Sequence, residues 1–163
     1  MTADGTFIRA FAEAYEARIF TLDGAKGSYP GFERADRTNT RAGGGGGEWY
    51  GYAVRWILAF DVAADGSATA DVCEASSITQ DKSPREDILR HRLTYRRLGE
   101  SPPVDQKGTA RAPADSVFGE WEATEYSSQV PITKESIEPC LRSIPSIDRK
   151  HVDNSPGWPA KAN

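Results

Sequence analysis

His91 is the residue of this sequence best suited to general acid–base chemistry. Its segment alternates between apolar and charged side chains, which predicts a β-strand. The alternation places His91 on the same face as Leu93 and Tyr95, so we expect it to point to the interior. A neutral imidazole in a cavity can act as a general base when a carboxylate orients it. Asp61 and Asp71 are candidate partners, although a buried histidine that hydrogen-bonds a neighbour is the favoured interpretation.

Four aromatic side chains from separate predicted elements are candidates for the lining of a ligand pocket: Tyr15, Trp56, Tyr95 and Trp121. Aromatic residues at strand spacing are more often ordinary core residues, because each buries a large apolar area. We favour that interpretation, and a cavity for a small apolar ligand is the functional alternative.

Arginines form a stripe on the other face of the same predicted strand, at Arg90, Arg92 and Arg96. Glu120 and Glu122 share one face of a later predicted strand. If these strands are adjacent, we expect cross-strand ion pairs, each contributing less than ~1 kcal/mol when solvated. A phosphate-bearing ligand or an acidic partner is the functional alternative.

Patterns that hold metals or phosphates are absent from the sequence. Five consecutive glycines at positions 43–47 are followed by strand-forming residues. A phosphate-binding loop needs a helix behind its glycines and, in the P-loop, a Lys-Ser/Thr pair. We therefore expect a surface loop there, and no cofactor or metal in the protein.

Charge and hydropathy limit the partners. The net charge of the 163-residue chain is −4, with acids and bases mixed along it, whereas a nucleic-acid-binding protein is expected to carry a basic face. No apolar run approaches the ~18 residues of a membrane span. The first residues also lack the basic and apolar regions of a signal peptide, so none is predicted.

Cys73 and Cys140 are the only cysteines, and their spacing matches neither a zinc site nor a CxxC redox motif. They are either two idle thiols or one disulfide. The position of Cys140 favours the disulfide, because its proline-containing segment has few other means of attachment. A disulfide favours an extracytoplasmic compartment; free thiols favour the cytoplasm.

Hydrophobic spacing predicts an α+β domain. Apolar residues recur at helical spacing over residues 7–20, with Thr6 as the expected N-cap. From residue 49 the period changes to two, which predicts four antiparallel strands at residues 49–62, 68–78, 88–98 and 117–127. The helix has one apolar stripe and the sheet one apolar face, so each is expected to bury the other. We expect Trp56 to be largely buried.

The domain is predicted to span residues 1–130. Residues 131–163 read as a proline-rich tail, partly docked near Cys140 and with few contacts after Ser143, because prolines prevent regular strand pairing. His151, in this tail, is expected to be solvated.

Three short motifs resemble the NTF2-like, cystatin-like α+β cone, most closely its secreted or lipid-anchored domains from actinobacteria. They are Ala-Phe-Ala-Glu-Ala-Tyr at 10–15, Ala-Thr-Ala-Asp-Val-Cys-Glu at 68–74 and Phe-Gly-Glu-Trp-Glu-Ala-Thr at 118–124. The resemblance extends over residues 7–141, and such domains often carry a second cysteine near the position of Cys140. It implies an N-terminal helix packed on a curved antiparallel sheet of four or more strands. The family usually has two or three helices before the sheet, and residues 25–48 predict no second one.

The resemblance implies an accessory or interaction domain without catalytic activity, binding a protein or a small apolar ligand. Its alternative is a SnoaL-type isomerase or hydrolase with His91 as general base. A subunit of a channel or secretion complex is a further alternative, and the sheet offers a surface for a homodimer.

Overall fold

A computed structural model describes residues 1–20, 28–39, 48–80, 83, 85–128, 132–146 and 157–161. The loop predicted at residues 43–47 and His151 lie outside the described residues. The elements in chain order are α1 (Ala3–Phe20), α2 (Phe32–Ala35), β1 (Tyr50–Val62), β2 (Ser67–Thr79), β3 (Asp87–Arg96), β4 (Glu122–Ser128) and α3 (Lys134–Ser143). The strands form one open antiparallel sheet in the order β1-β2-β3-β4. The predicted α+β class is confirmed.

Helix α1 begins one turn earlier than predicted. The Thr2 hydroxyl oxygen accepts a hydrogen bond from the backbone N–H of Gly5 at 3.1 Å, so Thr2 caps the helix. The expected cap, Thr6, lies inside the helix with no exposed surface. Thr2 directly precedes Ala3, the first residue of α1, and can therefore cap the helix, whereas Thr6 faces the core beside Phe7.

The hairpin between β1 and β2 forms as its Asp-Gly signal predicts. Gly66 has a φ of +84°, a left-handed conformation that glycine adopts without steric cost. The Asp65 carboxylate accepts hydrogen bonds from the backbone N–H of Ser67 at 2.9 Å and from its hydroxyl at 2.6 Å.

The core lies between α1 and the β2–β3 part of the sheet. The Phe7 ring is 4.8 Å from the Tyr95 ring and 5.8 Å from the Trp121 ring. The sheet contributes buried residues from the matching face: Ala68, Ala70, Val72, Leu93 and Ala123. The predicted mutual burial of helix and sheet is therefore correct for β2 and β3.

Strand β1 departs from the predicted alternation. Its register with β2 shifts between Ile57 and Ala59, which marks a β-bulge. On the N-terminal side of the bulge, Arg55 reaches the α1 side of the sheet, where it pairs with Glu16. Its neighbour Trp56 lies opposite Cys73 on the other side, is half-buried rather than largely buried, and donates its indole N–H to the Ser143 hydroxyl at 3.0 Å.

The region beyond residue 130 contains structure that the sequence did not predict. Thr133 caps α3, and its hydroxyl accepts from the backbone N–H of Ser136 at 3.2 Å. Trp158 is fully buried in the core cluster. The expectation of few contacts beyond Ser143 is therefore wrong for Trp158, because a large apolar side chain anchors its segment without regular strand pairing.

Candidate functional site

A cleft of about 830 Å³ lies between α1 and the edge strand β1. The apolar part of its wall comes from α1, from β1 with the residue before it, and from β2, and it includes Ile8, Phe20, Trp49, Ile57 and Val72. The charged part consists of Arg9, Glu13, Glu16, Arg55 and Arg111. A concavity that combines apolar surface with polar groups is a form that small-molecule sites take.

The Arg55 guanidinium in this cleft is held between two carboxylates. It contacts the Glu16 carboxylate of α1, and its Nε donates to Oε2 of Glu74 on β2 at 2.8 Å. The exposed fractions of these side chains are 15% for Arg55, 21% for Glu16 and 9% for Glu74. This pairing leaves the guanidinium with little affinity for an additional anion.

His91 continues this network beneath the cleft. Its Nε2 lies 3.8 Å from Oε2 of Glu74, and its Nδ1 is 3.1 Å from the Ser128 hydroxyl. The Tyr126 ring stacks on the imidazole at 5.3 Å. Among the described residues, Nε2 has no hydrogen-bond partner.

Burial and neighbouring charges set the protonation states of this network. Burial lowers the pKa of His91, and Arg55 lowers it further, against the opposing effect of Glu74. Burial by itself would raise the pKa of Glu74, but Arg55 and His91 outweigh it and lower that pKa. The pair at neutral pH is therefore a neutral imidazole beside an ionised carboxylate.

The predicted aromatic pocket residues do not come together at the cleft. Tyr95 and Trp121 are buried core residues with rings 5.8 Å apart, and the Tyr95 hydroxyl donates to Asp4 at 2.6 Å. Tyr15 packs its ring against that of Tyr126 at 4.8 Å. Of the four candidates, Trp56 alone is among the residues that line the cleft, and its indole is directed to Ser143 on the other side of the sheet.

The carboxylate beside His91 is Glu74, and neither predicted partner occupies that place. Asp71 lies on the opposite face of the sheet, where it pairs with Arg90 and Arg92. Asp61 is exposed on β1. The alternation of β2 does place Glu74 on the face of Val72, but the register that brings it near His91 is a long-range property.

The arginine stripe forms ion pairs, one of them as predicted. Arg96 pairs with Glu122 across β3 and β4 at 3.1 Å. Arg90 and Arg92 pair with Asp71 of β2 instead, and Glu120 accepts the backbone N–H of Glu100 at 2.7 Å. The stripe reaches across both of its neighbouring strands because β3 is an interior strand.

Cys73 and Cys140 form a disulfide, as the favoured interpretation predicted. Their Cα atoms are 5.6 Å apart, and both residues are fully buried. The bond ties α3 to the face of the sheet opposite α1.

Within the described ranges, no group of histidine, cysteine, aspartate and glutamate side chains is arranged to hold a metal ion. The described helices include none with the length and apolar character needed to cross a bilayer. Comparison with family models, with curated proteins and with solved structures finds no match for this chain.

Proposed function

We propose that this protein is a non-catalytic, extracytoplasmic binding domain of NTF2-like architecture that takes a small, uncharged, largely apolar molecule in the α1–β1 cleft. The observation that carries the proposal is the charge pairing inside the cleft. Arg55 is paired with Glu16 and Glu74, and Arg9 is paired with Glu13 at 2.8 Å. A charged ligand that contacts Arg55 or Arg9 would have to break one of these pairs and leave its partner desolvated, which is costly.

The disulfide supports the proposed compartment. Such bonds persist in oxidising environments and are rare in the cytosol. The N-terminal helix α1 packed on an antiparallel sheet is compatible with the NTF2-like cone, which the three sequence motifs resemble.

Binding of the neutral fluorophore N-phenyl-1-naphthylamine tests the proposal. Its fluorescence should rise on titration with the protein, because the cleft shields the rings from water. The variant Ile57→Glu adds a carboxylate to the cleft wall without disturbing the core, since Ile57 is 46% exposed. We expect at least about tenfold weaker binding, which corresponds to about 1.4 kcal/mol.

Val104→Glu is the matched control, because Val104 is 56% exposed and lies outside the cleft. It should bind the fluorophore as the unmodified protein does. Equal affinities in all three proteins would show that the dye binds elsewhere and would contradict the proposal.

A second candidate function, a hydrolase with His91 as general base, rests on one alignment of side chains. A potential nucleophile, base and acid lie in a row. The Ser128 hydroxyl is 3.1 Å from Nδ1 of His91, and Nε2 of His91 is 3.8 Å from Oε2 of Glu74. The first proposal is better supported, because none of the three is among the residues that line the α1–β1 cleft and Arg55 already engages Glu74.

A fluorophosphonate probe distinguishes the two candidates. A hydrolase of this kind would be labelled at Ser128, and Ser128→Ala or His91→Gln would abolish the labelling. If the folded protein binds the fluorophore but is not labelled by the probe, the result supports the binding domain and contradicts the hydrolase.

A further inference from the structure

Trp158 occupies a pocket built from three separate parts of the chain. Its indole N–H donates to Oε2 of Glu13 on α1 at 2.8 Å. The Arg9 guanidinium lies over the indole ring at 4.0 Å, and the Tyr29 ring meets the indole edge-on at 5.7 Å. Trp158 has no exposed surface. The pocket therefore recognises both the indole N–H and the face of the ring.

The backbone on either side of this indole is recognised as an added strand would be. Gly108 donates its N–H to the Gly157 carbonyl at 3.0 Å, and Ala110 exchanges hydrogen bonds of 2.9 and 2.8 Å with Trp158. Main-chain bonds of this kind, combined with one side-chain pocket, are how folded domains bind extended peptides.

The residue before the tryptophan must be glycine. A Cβ at Gly157 would lie 2.5 Å from the Gly108 carbonyl oxygen and 3.0 Å from the Ala110 carbonyl oxygen, both of them backbone atoms. Gly108 is restricted in the same way, because its Cβ would lie 2.2 Å from the Trp158 carbonyl oxygen. The site thus selects a glycine followed by a tryptophan.

The bound segment is attached to the rest of the fold mainly through the Trp158 indole and a short backbone pairing. Its regular pairing is limited to two isolated bridges, and neither the four-stranded sheet nor the Cys73–Cys140 bond involves it. A second cavity, of about 240 Å³, lies beside Pro159, Ala160 and Lys161. Opening this segment requires the buried Trp158 indole to leave its pocket and the two bridges to break, but it breaks no bond of the four-stranded sheet.

We infer that this pocket is a peptide-binding site for a Gly-Trp segment, and that residues 157–158 are its intramolecular ligand, exchangeable for a Gly-Trp peptide from a partner. The inference does not depend on the ligand of the α1–β1 cleft. The two sites share three lining residues, Arg9, Glu13 and Tyr29. A change of occupant in the pocket would therefore also alter the wall of the cleft at one end.

The test uses the full chain and a labelled peptide with the sequence Ser-Pro-Gly-Trp-Pro-Ala-Lys. Gly157→Ala displaces the intramolecular segment and leaves the pocket wall unchanged, and Lys161→Ala is the matched control in the same segment. By fluorescence anisotropy, Gly157→Ala should bind the peptide at least about tenfold more tightly than the other two proteins, because its own segment competes less. Peptides with alanine for the glycine, or leucine for the tryptophan, should bind at least about tenfold more weakly.

Equal peptide binding by folded Gly157→Ala and by Lys161→Ala would overturn the inference. If Gly157→Ala does not fold, hydrogen exchange of the unmodified protein decides. Excess peptide should lower the protection of the Trp158 amide and leave the β2 amides unchanged. A Trp158 amide whose protection does not respond to peptide would mean that the segment is a fixed part of the core.

Discussion

Arg55 and the two carboxylates that hold it show what a single residue contributes to this molecule. Burying such an ion network is costly unless every charge is paired, and here Glu16 from α1 and Glu74 from β2 both reach the same guanidinium. The network therefore fixes the distance between α1 and the sheet, and so the width of the cleft. The face of His91 could be predicted from alternation, but its neighbours could not, because they depend on strand register.

The stability of the fold should fall as the pH is lowered through the range in which His91 titrates. The folded-state pKa of His91 lies below its ordinary 6.5, so the unfolded chain binds more protons below that pH. Stability from this source is fully present above pH 6.5 and is lost as the pH falls toward the folded pKa, at about 1.4 kcal/mol for each pKa unit. Glu74, whose pKa is also lowered, adds a loss of the same sign at more acid pH.

Urea unfolding at pH 7.5 and 5.5 measures this effect. His91→Gln should lose less stability between the two values than the unmodified protein does. Ser128→Ala is the control, because it removes the hydrogen bond to Nδ1 but keeps the imidazole, and it should retain the full pH dependence. An unchanged pH dependence in His91→Gln would contradict the prediction.

Strand β1 and helix α3 show how far local pattern predicts whole elements. The alternation of β1 correctly predicts a strand. The bulge between Ile57 and Ala59, however, shifts the alternation, so that the residues before it and after it do not follow one common pattern of sheet faces. A bulge adds one residue to a strand and leaves no reliable mark in its hydrophobic pattern. The sequence pattern does not predict helix α3, because Pro139 interrupts the helical spacing. The helix is stabilised by the Thr133 cap and by the disulfide at Cys140.

Reduction of the disulfide should release α3 and leave the sheet intact. The bond closes a loop with a sequence separation of 67, for which chain entropy predicts a loss of about 4 kcal/mol. Helix α3 should then exchange its amide hydrogens freely, because one hydrogen bond from Trp56 is its main remaining polar tie among the described residues. The β2 and β3 amides should stay protected, since their core faces α1.

Paired Cys73→Ala and Cys140→Ala substitutions, compared with the unmodified protein with and without reductant, provide the measurement. Reductant should lower the urea midpoint of the unmodified protein only. A reduced protein that keeps α3 protected would show that packing alone holds this helix.

At the scale of the whole molecule, the fold class was predictable because it depends on composition and period. The burial of Trp158 was not predictable from the sequence. It depends on a pocket formed by Arg9, Glu13 and Tyr29, all of which are far from Trp158 along the chain. The predicted boundary at residue 130 stays a prediction, as does the homodimer through the sheet.

We predict that a homodimer would form through one edge of the sheet, that of β1. Strand β1 is the first strand in the sheet order, and its second half exposes Ile57, Phe60 and Val62 at 46%, 43% and 37%. A long edge strand with exposed apolar side chains is a template for pairing with another chain. An antiparallel β1–β1 contact across a twofold axis would bury these side chains in both copies.

We therefore expect the sedimentation coefficient of the unmodified protein to rise with concentration in the micromolar range. Phe60→Lys should keep the protein monomeric throughout, because a lysine on an edge strand opposes edge-to-edge pairing. Val104→Lys, a charge added at a site 56% exposed and outside the sheet, should associate as the unmodified protein does. A sedimentation coefficient of the unmodified protein that does not change with concentration would rule out the dimer. Association that persists in Phe60→Lys would show that the contact lies on another surface, because the β1 edge could not then be the one that pairs.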